Sequence, residues 1–122
     1  MFVERRLNRS TEMHRALELQ LQASAERAGF SSLVLVEEQG LLVAGAGERG
    51  LFDQIAAISP QVARERELWH GTVPAELGDQ LLTVAAVRSP LGSLYLSGVG
   101  GKRSAIVPEL GRSAQGVCRI LA

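Results

Sequence analysis

The chain predicts an α/β protein of the α+β type: a five-stranded, mainly antiparallel sheet sandwiched between helices, in the order α-β-β-α-β-β-β-α. Three observations lead to this class. Apolar residues at three-and-four spacing mark helices near both ends of the sequence. Between them lie short apolar runs of strand length. Successive runs are joined by turns too short for the crossover that parallel pairing requires, so they should pair antiparallel.

The first ten residues read as a charged leader carrying Glu4, Arg5, Arg6 and Arg9, and residues 11–122 as one domain. Ser10 is placed to cap a first helix whose buried stripe is Met13, Ala16, Leu17, Leu21, Ala25 and Ala28, with Gly29 ending it. Leu33-Val34-Leu35-Val36 is an unbroken apolar run, as expected of a central strand covered on both faces. Glu37-Glu38-Gln39-Gly40 turns the chain into a second run, residues 41–44, forming a hairpin.

Leu51, Phe52, Ile55, Ile58 and Val62 repeat with helical spacing as far as the Arg64-Glu65-Arg66-Glu67 cluster. Pro60 predicts either a kink in this second helix or a restart capped by Ser59. Residues 69–73, 81–87 and 94–99 then read as three strands, separated by Pro74, the Gly78-Asp79 turn signal and the Ser89-Pro90-Leu91-Gly92 loop. The small residues of the last strand are expected to leave space for a helix above it. That helix carries Val107, Leu110, Ala114, Val117, Cys118 and Leu121 on one stripe.

Composition narrows the function. Thirteen basic residues balance thirteen acidic ones, so the surplus positive charge of a phosphate-neutralising protein is missing and nucleic acid is not an expected partner. No apolar stretch approaches the roughly 20 residues of a membrane span, and the start has no apolar core of a secretory signal. A lone Cys118 fits a reducing compartment, and a cytoplasmic location is expected.

Gly45-Ala46-Gly47-Glu48-Arg49-Gly50 has the form of a dinucleotide-binding G-x-G-x-x-G between a strand and a helix. Against that reading, its strand is already the second arm of a hairpin, and no strand ending in a ribose-binding acid follows at the right distance. A strand-to-helix turn is the simpler reading. Gly98 to Ser104 lacks the spacing of a phosphate-binding loop, because Leu96 stands where its first glycine belongs and Arg103 where its hydroxyl belongs. His14 and His70 have no second ligand at metal-binding spacing. Cys118 on an apolar stripe reads as a small hydrophobe. With no local signature of a triad or an acid–base pair, the expectation is a non-enzyme without cofactor or metal.

Two apolar features read either as ordinary core or as an interface with a partner: the broad apolar face of the second helix, and the strand around Trp69, which is a covered core position or a sheet edge with an aromatic anchor. With these elements in this order, and with the stretch from Leu33-Val34-Leu35-Val36 through Glu37-Glu38-Gln39-Gly40 to Leu41-Leu42-Val43-Ala44, the chain resembles the Roadblock/LC7 family over nearly its whole length. The resemblance implies a homodimer in which the second helix and third strand meet their counterparts. Carried onto this sequence, that interface comprises Phe52, Ile55, Ile58, Val62, Trp69 and Val73.

It further implies a scaffold or adaptor in a Ras-like GTPase module for polarity or motility, as in bacterial members of the family. Its partners would be a second copy, another Roadblock-family protein or a GTPase regulatory protein. The compact length and absent long tail bring the resemblance nearer to the shorter bacterial members, and leave adaptor or GTPase activator open. Pro60 and the glycine-rich entry to the second helix depart from the commonest family pattern. Two other functions fit the same elements. A profilin-like or sensory domain would show a ligand-dependent rise in melting temperature, and a dinucleotide-binding unit would bind a fluorescent nicotinamide cofactor.

Overall fold

The computed structural model describes residues 2–72 and 80–122, with side chains from Thr11 onward. Its elements are α1 (Phe2–Ala28), β1 (Phe30–Glu37), β2 (Leu42–Gly47), α2 (Phe52–Val62), β3 (Leu68–Thr72), β4 (Leu81–Ser89), β5 (Gly92–Gly100) and α3 (Arg103–Leu121), with a 3₁₀ turn at Arg49–Leu51 leading into α2. The five strands form one sheet in the order β2-β1-β5-β4-β3, antiparallel at every junction.

Alternation along the strands builds two cores. Leu33 and Leu35 of β1 and Leu94 and Leu96 of β5 face α1 and α3, together with Leu17, Leu21, Ile106, Leu110 and Val117. Val34 and Val36, with Leu82, Val84 and Val99, face the single helix α2 through Phe52, Ile55 and Ala56. The uninterrupted Leu33–Val36 run thus follows from β1 being covered on both sides. One helix on one face and two on the other make the expected sandwich.

The turns are built as their residues require. Gly40 sits at φ +86° and its N–H bonds the Glu37 carbonyl at 2.9 Å, closing the β1–β2 hairpin. Gly29, at φ +77°, ends α1 in the left-handed conformation, and its N–H bonds the Ala25 carbonyl. The neighbouring Ala28 carbonyl accepts the Lys102 N–H at 2.8 Å, so the approach to α3 also satisfies the end of α1.

Four local expectations are corrected. The first helix begins at Phe2, so Ser10 lies inside it and is not its cap. Of the two readings of Pro60, the restart is overturned: α2 runs through it to Val62, Pro60 stands in the last turn, and Ser59 donates to the Ile55 carbonyl at 2.6 Å instead of capping. On α3 the inward stripe is Ile106, Leu110, Ser113, Val117 and Leu121, and Val107 is 47% exposed. Gly98 makes room for the ring of Phe30 rather than for a helix, since a Cβ there would stand 2.6 Å from that ring.

α1 and α3 are joined by a charged contact that no local pattern foretells. Arg27 donates through Nε and Nη2 to the two oxygens of Glu109, each at 3.0 Å, and Arg112 Nη1 lies 3.5 Å from the same carboxylate. Glu109 is only 5% exposed. Burial pushes its pKa up, but hydrogen bonds from Arg27 and Ser24 and the charges of Arg27 and Arg112 outweigh burial and hold it below its ordinary value. Its stabilising contribution is therefore complete above the unfolded carboxylate value, about 4, and is lost as pH falls through the lower folded value. Glu109→Gln is expected to cost about 1–3 kcal/mol at neutral pH and to flatten the acid limb of stability, as urea melts from pH 3 to 7 will read.

Candidate interaction surface

The face of the sheet under α2 has one helix where the other has two, and this leaves a surface along α2 and β3. α2 is fixed to the sheet by its buried side, where Ile55 is fully enclosed and the hydroxyls of Ser59 and Ser97 meet at 2.6 Å. Its outer side presents Asp53, Gln54, Ala57 and Gln61, with Ile58 and Val62 half-buried between the two.

β3 is the outermost strand, bonded to β4 alone among the described residues. Among the described residues its other edge has no strand partner, and an edge of this kind pairs readily with a further strand. Trp69 lies opposite Val84 and is half-buried against the same core as Ile58 and Val62. The other face of β3 shows Leu68, His70 and Thr72 to solvent, with His70 Nδ1 3.2 Å from the Thr83 hydroxyl.

Of the six residues singled out for this interface, the structure brings Ile58, Val62 and Trp69 onto one side of the sheet with part of each exposed. Phe52 and Ile55 are placed differently. Both are buried in the chain's own core, Phe52 8% and Ile55 0% exposed. Helical spacing identifies an apolar stripe without saying how wide the covering sheet is, and here it covers the middle of that stripe. Val73 lies outside the described residues.

Trp69 owes its position to Gly71. A Cβ at Gly71 would overlap the outer ring of the indole, so the glycine is the space the ring occupies. Gly71→Ala is expected to displace the indole and cost about 1–3 kcal/mol. Because Trp69 is the only tryptophan, the change will be seen as a red shift of the intrinsic fluorescence of the folded chain.

The glycine motif at Gly45 to Gly50 resolves into separate structural roles. A Cβ on Gly45 would come within 2.6 Å of the Phe52 ring, Gly47 adopts φ +100° against the Ser31 carbonyl, and Gly50 has open space around it. The strand before the motif is an antiparallel edge strand, so the parallel βαβ unit that holds a pyrophosphate is not formed. The segment ahead of α3 is likewise a turn, with Gly100 and Gly101 at positive φ. Among the described residues no group of three or more His, Cys, Asp or Glu side chains is arranged to hold a metal, and no helix is long and apolar enough to cross a membrane. His14 pairs with Glu18 at 3.5 Å, and the half-buried Cys118 rests its sulfur on the Arg88 carbonyl at 3.4 Å.

No family model and no curated protein sequence matches the chain. Solved structures do. An MglB with a tetrameric arrangement superposes with a TM-score of 0.73 over 89% of this chain and 90% of its own, at 12% identity. MglB of Myxococcus xanthus gives 0.70 over 88% of both chains at 10% identity. The gliding protein MglB of Thermus thermophilus gives 0.69 over 89% and 90% at 14% identity. The chain has the Roadblock/LC7 fold of MglB.

At such identities the likeness to MglB lies in the path of the backbone, which a sheet with alternating core residues preserves through wide sequence change. The match to MglB covers nearly the full length on both sides, so the three helices and five strands correspond as a set. The groups that sequence reasoning missed have no local signal. Arg27 and Glu109 are 82 positions apart, and nothing near either one points to the other.

Proposed function

We propose that the chain is a non-enzymatic, cytoplasmic, homodimeric scaffold or adaptor that binds partner proteins in a Ras-like small-GTPase module controlling cell polarity or motility. The observation that carries this reading is the MglB fold with a β3 edge, unpaired among the described residues, lying beside the outer face of α2. Two copies related by a two-fold axis would continue one sheet through β3 and bring Ile58, Val62 and Trp69 together with their counterparts. Chain length, the basis for the likeness to the shorter bacterial members, does not bear on whether the protein links partners or regulates a GTPase, so the proposal is the broader class. A second Roadblock-family protein or a GTPase regulatory protein is the proposed further partner.

The test is the solution mass by light scattering, with circular dichroism as the check on folding. The wild type is expected to be a dimer and Ile58→Asp a folded monomer, since Ile58 packs at the margin of the core and keeps part of its surface exposed. A wild type that is monomeric throughout the micromolar range would overturn the scaffold.

A further inference from the structure

The sheet has a second edge, on the opposite side of the molecule from β3. Among the described residues β2 pairs with β1 alone, so along Leu42–Gly47 half of the backbone N–H and C=O groups point away from the sheet. Edges of this kind are usually guarded by charged side chains or proline. This one has neither: residues 41–47 read Leu-Leu-Val-Ala-Gly-Ala-Gly, with Leu41 61% and Leu42 37% exposed.

Beside the edge runs the second half of α1, whose Leu21 and Ala25 share a core with Ala44 and Ala46. Between them is an open groove of about 480 Å³, floored by Ala25, Phe30 and Ala46 and walled by Glu18, Gln22 and Glu26. The wall residues are four apart and so stand one above another on a single stripe of the helix. Among the described residues Glu18 forms an ion pair only with His14, at 3.5 Å, and Glu26 forms none. Arg49 stands at one end of the groove.

We propose that this edge and groove together bind an extended, basic segment of a partner protein, which adds to β2 as a further strand and lays Lys or Arg side chains along Glu18 and Glu26. Strand and helix repeats agree with this. The helix separates the two carboxylates by about 12 Å, and residues four apart in an extended chain are about 13 Å apart. The segment therefore carries basic residues at positions i and i+4 on the side facing α1, with a small or polar residue between them opposite Gln22. Backbone pairing supplies the attachment and the acidic wall supplies the selectivity.

Charge also excludes the simplest rival, a second copy of the chain. Two β2 strands paired antiparallel about a two-fold axis normal to the sheet keep both α1 helices on the same face. Glu18 and Glu26 would then confront the same carboxylates of the other copy, at a cost in like-charge repulsion. An acidic wall equally disfavours a nucleic-acid strand.

The test is NMR titration of the full chain with a heptapeptide of alternating lysine and valine, beside a glutamate–valine counterpart and a lysine–valine peptide with alternate amides N-methylated. Resonances of Leu42–Gly47 are expected to shift, and their amide exchange to slow by about tenfold or more at saturation. The double variant Glu18→Lys/Glu26→Lys, folded by circular dichroism, is expected to weaken binding by about tenfold or more at physiological salt. The N-methylated peptide is expected not to bind, because the charges remain but the backbone cannot pair.

Any of the following would overturn the proposal: no shifts at about 1 mM peptide; shifts confined to β3; equal binding of the glutamate peptide; undiminished affinity in the double variant; binding by the N-methylated peptide; or β2 amides already protected by self-association without peptide. The result is independent of pairing through β3, which lies at the other end of the sheet.

Discussion

Gly47→Ala is expected to destabilise the chain by about 2–5 kcal/mol, while Gly50→Ala, three residues further along the same motif, changes stability by less than about 1 kcal/mol. The two glycines differ in what surrounds them. Gly47 adopts φ +100°, where a side chain is strained, and its missing Cβ is replaced by the Ser31 carbonyl, a backbone atom held in β1. Neither strand can give way without disturbing the β1–β2 register, so conformational strain and overlap add. Gly50 lies in the 3₁₀ turn with nothing within 4 Å of where a Cβ would stand. Urea melts of both variants will decide between the two readings of the motif. A phosphate cradle would require both glycines for close approach of a ligand and neither for folding. A strand-to-helix turn gives the unequal pair of stabilities predicted here.

Ile55→Asp is expected to leave the chain unfolded, and Ile55→Ala to cost about 2–5 kcal/mol. Ile55 has no exposed surface and packs with Val34, Val84 and Val99 beneath α2. An aspartate there would either bury an unpaired charge or take up a proton, and the cost of several kcal/mol rivals the whole stability of a domain, about 5–15 kcal/mol. Loss of the far-ultraviolet helical signal and of a cooperative melt will show this. Set against a folded monomer for Ile58→Asp, three positions away on the same helix, the outcome separates the inner side of α2 from its margin. If Ile55→Asp proved folded and monomeric, α2 would have to be turned relative to the sheet by about a sixth of a rotation.

These results bear on what a linear pattern can say. The period-two alternation in β5 and the unbroken run in β1 were sufficient to identify strands, because a strand's exposure is set by its own pleat and by whether one or both faces are covered. The same reasoning misplaced Val107. Ile106 and Val107 are adjacent, about 100° apart around the helix, and either could begin an apolar stripe until the sheet chooses one. Pro60 is a similar case: the residue restricts the chain, but how much depends on its distance from the helix end, which only the sheet beneath α2 and the turn after Val62 define.

What the sequence determined by itself was the kind and order of the elements, the two-sided burial of β1 and the turn at Gly40, all of which rest on interactions within a few residues. Which elements became edges was decided by tertiary structure. The order β2-β1-β5-β4-β3 places the first hairpin and β3 at opposite limits of the sheet, a consequence of pairing β1 with β5, more than fifty residues distant. From that pairing follow the division of α2 into a buried Ile55 and a partly buried Ile58, the flank of β3 beside Trp69 that is open among the described residues, and the groove between β2 and Glu18, Gln22 and Glu26. The reason is physical: burial and edge exposure are properties of a residue's neighbours in space, and long-range strand pairing assigns those neighbours.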